Sequence, residues 1–218
     1  MSVITISREA GSGGTAIAKA VAETLGYRFV DKQTLGELLG KYGLVSFNNV
    51  YDNAPAFWDS FDSQKAEQRS TIVVMMNKAI LAIAKMGNAV IVGRGGYVIL
   101  GGYSDVLNVR IQATLATRIK AVQKERGLDD FKIAERDVKE RDHVRNVFLE
   151  SAYSMKVEPA QAFDLVINTE KIAPDKATEI IVDVARSLGE NLSGTERLAS
   201  KIEIDPVLAD AVREALAC

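Results

Sequence analysis

The chain has 218 residues, 47% hydrophobic and 26% charged, ordinary globular usage that excludes a disordered or fibrous chain and suffices to bury a sizeable core. With 27 basic and 29 acidic residues the net charge is -2, which lacks the basic excess of a protein that grips nucleic acid through its phosphates. Cys218 is the only cysteine, so no disulfide framework or thiolate metal site can be assembled. No apolar run approaches the roughly 18 residues of a membrane span. The expectation is a cytoplasmic protein with neither nucleic acid nor membrane as a partner.

Residues 3–6, Val-Ile-Thr-Ile, read as a short buried strand. Residues 16–25 follow with Ile17, Val21, Ala22 and Leu25 at helical spacing, closed by Gly26. A second short strand is predicted over 27–30, with Asp31 placed to cap the next helix. Residues 66–86 put Ile72, Met76, Ala79, Ile80 and Ile83 on one helical face, and Gly87 stops it. Residues 89–92 form the apolar run of a strand buried on both faces of a parallel sheet. A strand over 106–111, helices over 114–126 and 133–149, a strand over 163–167 and a helix over 173–188 complete the pattern. This alternation predicts an α/β fold, a five-stranded parallel sheet with helices on both faces. Ligands bind such sheets beyond the carboxyl ends of the strands, just after Ile6, Val30, Val92 and Ile111. Residues 189–195 read as a polar linker. Residues 205–217, with Val207, Leu208, Val212 and Leu216 apolar, read as a separate amphipathic helix for the domain or for a second subunit.

Between the first strand and the first helix runs Ser7-Arg8-Glu9-Ala10-Gly11-Ser12-Gly13-Gly14-Thr15. A glycine-rich turn that feeds a helix N-terminus presents backbone N–H groups and the positive end of the helix to one spot, which suits a phosphate. Against a Walker A motif, the first glycine is Arg8 and the lysine is Gly14, while the magnesium-holding hydroxyl survives as Thr15. In one reading, amides of Gly11, Ser12, Gly13, Gly14 and Thr15 cradle phosphates and Arg8 supplies the missing positive charge. In the other, the segment is a tight strand-to-helix turn with Thr15 as a helix cap.

From about residue 3 to residue 188 the chain resembles bacterial cytidylate kinase, and more closely the divergent cytidylate-kinase-like branch. The resemblance rests on Ser7-Arg8 with Gly11 to Gly14, on the run Val92-Gly93-Arg94-Gly95-Gly96-Tyr97, on Arg141-Asp142-His143-Val144-Arg145, and on Asp164-Leu165-Val166-Ile167-Asn168-Thr169. It implies a P-loop nucleoside-monophosphate-kinase-like domain over 1–189, with a monophosphate-binding insertion at 32–65 and a helical lid at 127–150. Residues 190–218 hold the linker and the C-terminal helix. Arg94 is implied to grip the acceptor phosphate with two parallel hydrogen bonds, although the Asp that follows it in true cytidylate kinases is Gly95. Asp142 and Arg145 keep the lid's Asp-x-x-Arg spacing, and an earlier lid arginine falls on Val138. Asn168 and Thr169 are expected near the adenine end of the pocket.

These features imply ATP and Mg2+ as cofactors. Arg8, Arg94 and Arg145 are the candidate catalytic residues, and Gly11 to Thr15 hold the donor phosphates, with Thr15 as the metal ligand. Asp31, Arg94, Asp142 and Arg145 are the candidates for binding a small phosphorylated acceptor, CMP or dCMP by default. The aromatic cluster of Phe47, Tyr51, Phe57, Trp58 and Phe61 could stack on a base or form a satellite core. His143, the only histidine, has no expected catalytic role. The competing expectations are a binding module that has lost phosphotransfer and a kinase for another small molecule. A homodimer is possible through the C-terminal helix.

Overall fold

Apolar runs too short for helices pair side by side, and their two-residue alternation feeds two separate cores. The computed structural model describes residues 2–41, 63–156, 158–188 and 196–216. Its strands are β1 (Val3–Arg8), β2 (Arg28–Val30), β3 (Ala89–Val92), β4 (Val106–Gln112) and β5 (Leu165–Asn168). All pair in parallel, in the order β2-β3-β1-β4-β5. Ile4 lies in register with Val90 and Leu107, and Val3 with Ala89 and Val106.

The Ile4 set joins Ile6, Val92 and Val109 under α1 (Gly14–Leu25) and α7 (Pro174–Ser187), where Ile17, Val21 and Ile181 are buried. The Val3 set packs with α2 (Lys32–Lys41) and α3 (Ser63–Met86), through Leu35, Leu38, Met76, Ile80 and Ile83. Each fully buried Ile or Leu contributes about 1.5–3 kcal/mol, so the two cores are the main source of stability.

Several boundaries differ from those predicted. After β3 the chain turns at once into a short helix, α4 (Gly96–Leu100), which is too brief for periodicity to reveal. The last strand begins two residues late, because Phe163 turns aside to pack on Tyr97, ring centroids 4.7 Å apart. The region expected to form a lid, 127–150, falls in a helical hairpin of α5 (Leu115–Arg126) and α6 (Phe131–Tyr153). Thr114 caps α5, Gly127 ends it in the left-handed conformation, and Asp130 caps α6 by accepting from Lys132 N at 2.7 Å. Ile119, Val122, Ala134 and Val138 form the hairpin's own small core. The position of the earlier lid arginine is thus an interior apolar site in this chain. At its far end α6 runs one turn past the predicted stop, which brings Tyr153 to the sheet.

The C-terminal helix is not separate. Helix α8 (Pro206–Leu216) buries Leu208 and Val212 in the same core as α2 and α3. The approach to it is held by Asp105, whose carboxylate accepts from Ala199 N at 2.6 Å and Ser200 N at 3.2 Å. Phe47, Tyr51, Phe57, Trp58 and Phe61, and the linker at 189–195, lie outside the described residues. Among the described residues, no helix is long and apolar enough to cross a membrane.

Candidate functional site

At the carboxyl end of β1 the chain enters the glycine-rich loop. Gly11 and Gly13 take φ of +77° and +76°, a conformation that L side chains rarely adopt. A Cβ at Gly11 would also stand 2.5 Å from the carbonyl of Arg118. The loop is braced from below: Ser12 Oγ donates to Glu9 O at 2.8 Å, and Thr169 Oγ1 donates to Ser12 O at 2.8 Å. Thr169, expected near the adenine end, is thus a buttress of the loop. Gly13 stands at the N-cap of α1, and no side chain caps the helix. Thr15 is not the cap that the turn-only reading required. Thr15 is exposed, and residues 13–16 at the start of the helix line the cavity, where an anion-binding helix end would lie.

Arg8 lies across this helix end. Its Nε reaches Thr15 Oγ1 at 3.4 Å, and its guanidinium covers Gly93, where a Cβ would clash with Nη1. A Cβ at Gly14 would stand 2.5 Å from Arg8 Cβ. The Walker lysine and Arg8 therefore exclude one another in this backbone. Loss of the lysine and gain of the arginine are one structural change, which moves the cation from the helix to the strand end.

A network of buried charges supports the loop. Asp142 Oδ1 accepts from Ala10 N at 2.9 Å and from Arg145 Nη1 at 2.8 Å, and its Oδ2 accepts from Arg118 Nη1 at 2.6 Å. Arg118, only 8% exposed, also donates to the carbonyls of Ala10 and Ala113, both at 3.1 Å, and lies 3.3 Å from Glu9. Arg145 donates to the carbonyl of Arg8 at 2.8 Å, and its Nε lies 3.7 Å from Glu158. Glu158 also takes hydrogen bonds from Ser7 and Arg110. Three arginines thus face three carboxylates, Glu9, Asp142 and Glu158, as burial of charge requires. Burial alone would raise the Asp142 carboxyl. The Ala10 N–H, Arg145 and Arg118 outweigh it and hold the group below its ordinary value. Asp142, expected to bind acceptor, instead ties the lid helix to the loop.

Beyond β3, Arg94 sits at φ +57° between two left-handed glycines, with its guanidinium 5.9 Å from the centroid of the Phe148 ring. Gly95 leaves room for Tyr153, whose ring a Cβ there would strike. Tyr153 Oη donates to Asn77 Oδ1 at 2.8 Å and to the carbonyl of Arg94 at 3.3 Å, which fixes this turn. An aromatic ring therefore covers the position that carries Asp in true cytidylate kinases.

Arg8, Gly11, Gly13, Gly14, Thr15, Arg94 and Arg145 line one cavity of about 550 Å³, a size suited to small organic ligands. Ser12 is buried beneath the loop and Asp142 behind it. Asp31 lies outside the lining, where its Oδ1 caps α2 by accepting from Gln33 N at 2.9 Å and Thr34 N at 3.1 Å. His143 is exposed on the lid. Sequence reasoning missed Glu158, Arg110 and Tyr97. Arg110 carried a signal, a charge within an otherwise apolar strand. Glu158 sits in an irregular stretch and carried none. Among the described residues, no cluster of acidic, His or Cys side chains could hold a metal by itself.

Known proteins resemble this chain in sequence and fold. The chain is 28% identical over 181 residues to cytidylate kinase of Ignicoccus hospitalis, covering 83% of this chain and 97% of that one. It is 29% identical to cytidylate kinase of Pyrobaculum neutrophilum, covering 84% and 92%. An uncharacterized protein from Eubacterium ventriosum superposes with a TM-score of 0.66 at 25% identity, covering 86% of this chain and 99% of that structure. Residues 3–171, from the first strand through the loop, lid and last strand, match the model of one family, and the chain belongs to it: the cytidylate kinase-like family.

Proposed function

We propose that the chain is an ATP- and Mg2+-dependent phosphotransferase whose acceptor is a small phosphorylated molecule, with CMP or dCMP the first candidates. The observation that carries this reading is Arg8: its side chain fills the space that Gly14 leaves beside an uncapped helix N-terminus. A chain that had simply lost its phosphate loop would have no reason to keep a cation there.

ATP held by the loop would supply the phosphoryl group, and magnesium would screen its charge. The amides of Gly11 to Thr15 bind the donor phosphates, with the Thr15 hydroxyl as the metal's protein ligand. Arg8 would supply, beside the donor phosphates, the positive charge that the lysine supplies in other loops. Arg94, held by Tyr153 and Phe148, orients the acceptor phosphate, and Arg145 lies between the two ends. Glu125, Glu140 and Arg141 also line the cavity. A phosphate acceptor is already ionised, so no general base is needed.

The test is a phosphotransfer panel of ATP or GTP with Mg2+ against all ribo- and deoxyribonucleoside monophosphates. Turnover of CMP or dCMP is expected, with a loss of about 100-fold or more in Arg8→Ala at unchanged melting temperature. Nucleotide binding without turnover of any monophosphate would refute it and favour the second reading, a binding module. One feature points to that second reading: the Asp of true cytidylate kinases is absent at Gly95, and the Tyr153 ring stands over the position.

A further inference from the structure

The Tyr97 hydroxyl is the feature of the cavity that the proposed reaction leaves unused. Tyr97 is 5% exposed and lines the cavity, and its Oη has no hydrogen-bond partner among the described residues. A buried hydroxyl without a partner is destabilising, and Phe would fill the same space without that penalty. The ring is clamped against Phe163, so the hydroxyl cannot swing to another partner. Beside it in the lining stand Glu158, with its side chain 6% exposed, and Ser7. Arg110 binds Glu158 and lies over the same Phe163 ring at 5.8 Å, so Phe163 and Arg110 support from behind the wall that Tyr97 and Glu158 line.

The charges decide what this wall can receive. Glu158 is paired with Arg110 and lies 3.7 Å from Arg145 Nε, and Arg145 is also paired with Asp142. Among the described residues, this part of the cavity therefore has no spare cation for a phosphate, while the carboxylate can only accept hydrogen bonds. Burial first, and the charge of Glu158 second, push the Tyr97 phenol up to about 12, so it remains a proton donor throughout the working range. The ligand must therefore accept from Tyr97 and donate to Glu158. A hydroxyl oxygen does both. An amine would leave the Tyr97 proton unanswered, and a carbonyl would face Glu158 with lone pairs.

We propose that Tyr97 and Glu158 form a subsite for a sugar hydroxyl of the acceptor, away from its phosphate, and so select ribo- over deoxyribonucleotide. This rests on the nucleotide-acceptor reading above. The test is calorimetric binding, with KM alongside, of CMP and its 2′-deoxy and 3′-deoxy forms to the full chain, as wild type, Tyr97→Phe and Glu158→Gln. Wild type is expected to prefer CMP to one deoxy form by about tenfold. In Tyr97→Phe that ratio falls toward one, while the melting temperature holds or rises, because the substitution removes an unanswered hydroxyl. Glu158→Gln moves the ratio in the same direction. A wild type that binds CMP and both deoxy forms equally would overturn the subsite and leave the nucleotide reading standing. So would a ratio unchanged in Tyr97→Phe, or a melting temperature that falls without a change in ratio. If no monophosphate binds wild type, the nucleotide reading fails and the subsite falls with it.

Discussion

Two parts of the same site treat buried polar groups in opposite ways. Beneath the glycine-rich loop, Arg118 and Asp142 are answered within the chain, by carbonyls, an amide and opposite charges. On the cavity wall, the Tyr97 hydroxyl and Arg145 Nε are buried without a hydrogen bond among the described residues. A satisfied network rigidifies the place where it lies, whereas an unsatisfied group in a rigid wall is a demand on whatever enters. The underside is therefore structure, and the wall is recognition.

This contrast can be broken at three points. The largest effect is expected at Asp142. Its replacement by Ala leaves Arg118 and Arg145 without their anion and frees the Ala10 amide, at a cost of about 3–5 kcal/mol in denaturant unfolding. Because the folded carboxyl titrates below its unfolded value, the stabilisation is fully present above the ordinary Asp range near pH 4 and is lost as pH falls through the folded value. The gap between wild type and Asp142→Asn should accordingly narrow in acid. No change in either variant would mean that the underside is not structural. A smaller effect, about 2 kcal/mol of overpacking, is expected for Gly14→Lys, since the new side chain collides with Arg8. Adding Arg8→Gly should recover most of it, and simple additivity in this double-mutant cycle would break the claim that one cation replaced the other. Smallest is Thr169→Val, which removes the bond to Ser12 O and costs about 1 kcal/mol, read as a modest drop in melting temperature.

The sheet was legible because its strands are apolar on both faces and too short for helices. The loop was legible because glycines at Gly11 and Gly13 mark a backbone that other residues resist. Arg94 could be picked out for the same reason, standing between two glycines at a strand end. Asp142 and Arg145 were recognisable as a pair, but an arginine that braces a backbone and one that grips a substrate look identical in sequence. Only distances separate them, and these place Asp142 on Ala10 and Asp31 on the amides of α2. Glu158 was invisible because its position depends on a turn between α6 and β5 with no periodicity to read. Tyr97 sat in an apolar run where an aromatic ring normally means core, and its ring does serve the core. Its hydroxyl alone belongs to the site.

Helix α6 carries one further consequence. Asp142 and Arg145 tie its middle to the donor loop, and Phe148 and Tyr153 tie its end to the Arg94 turn. In many enzymes a new specificity evolves by exchange of a surface loop that leaves the chemistry alone. Here the acceptor wall and the support of the donor loop are inherited on one rigid segment, so a mutation that reshapes one is screened at once for its effect on the other. Change should therefore come slowly along α6, and slowly too at Gly95, where any side chain would strike the Tyr153 ring of that helix.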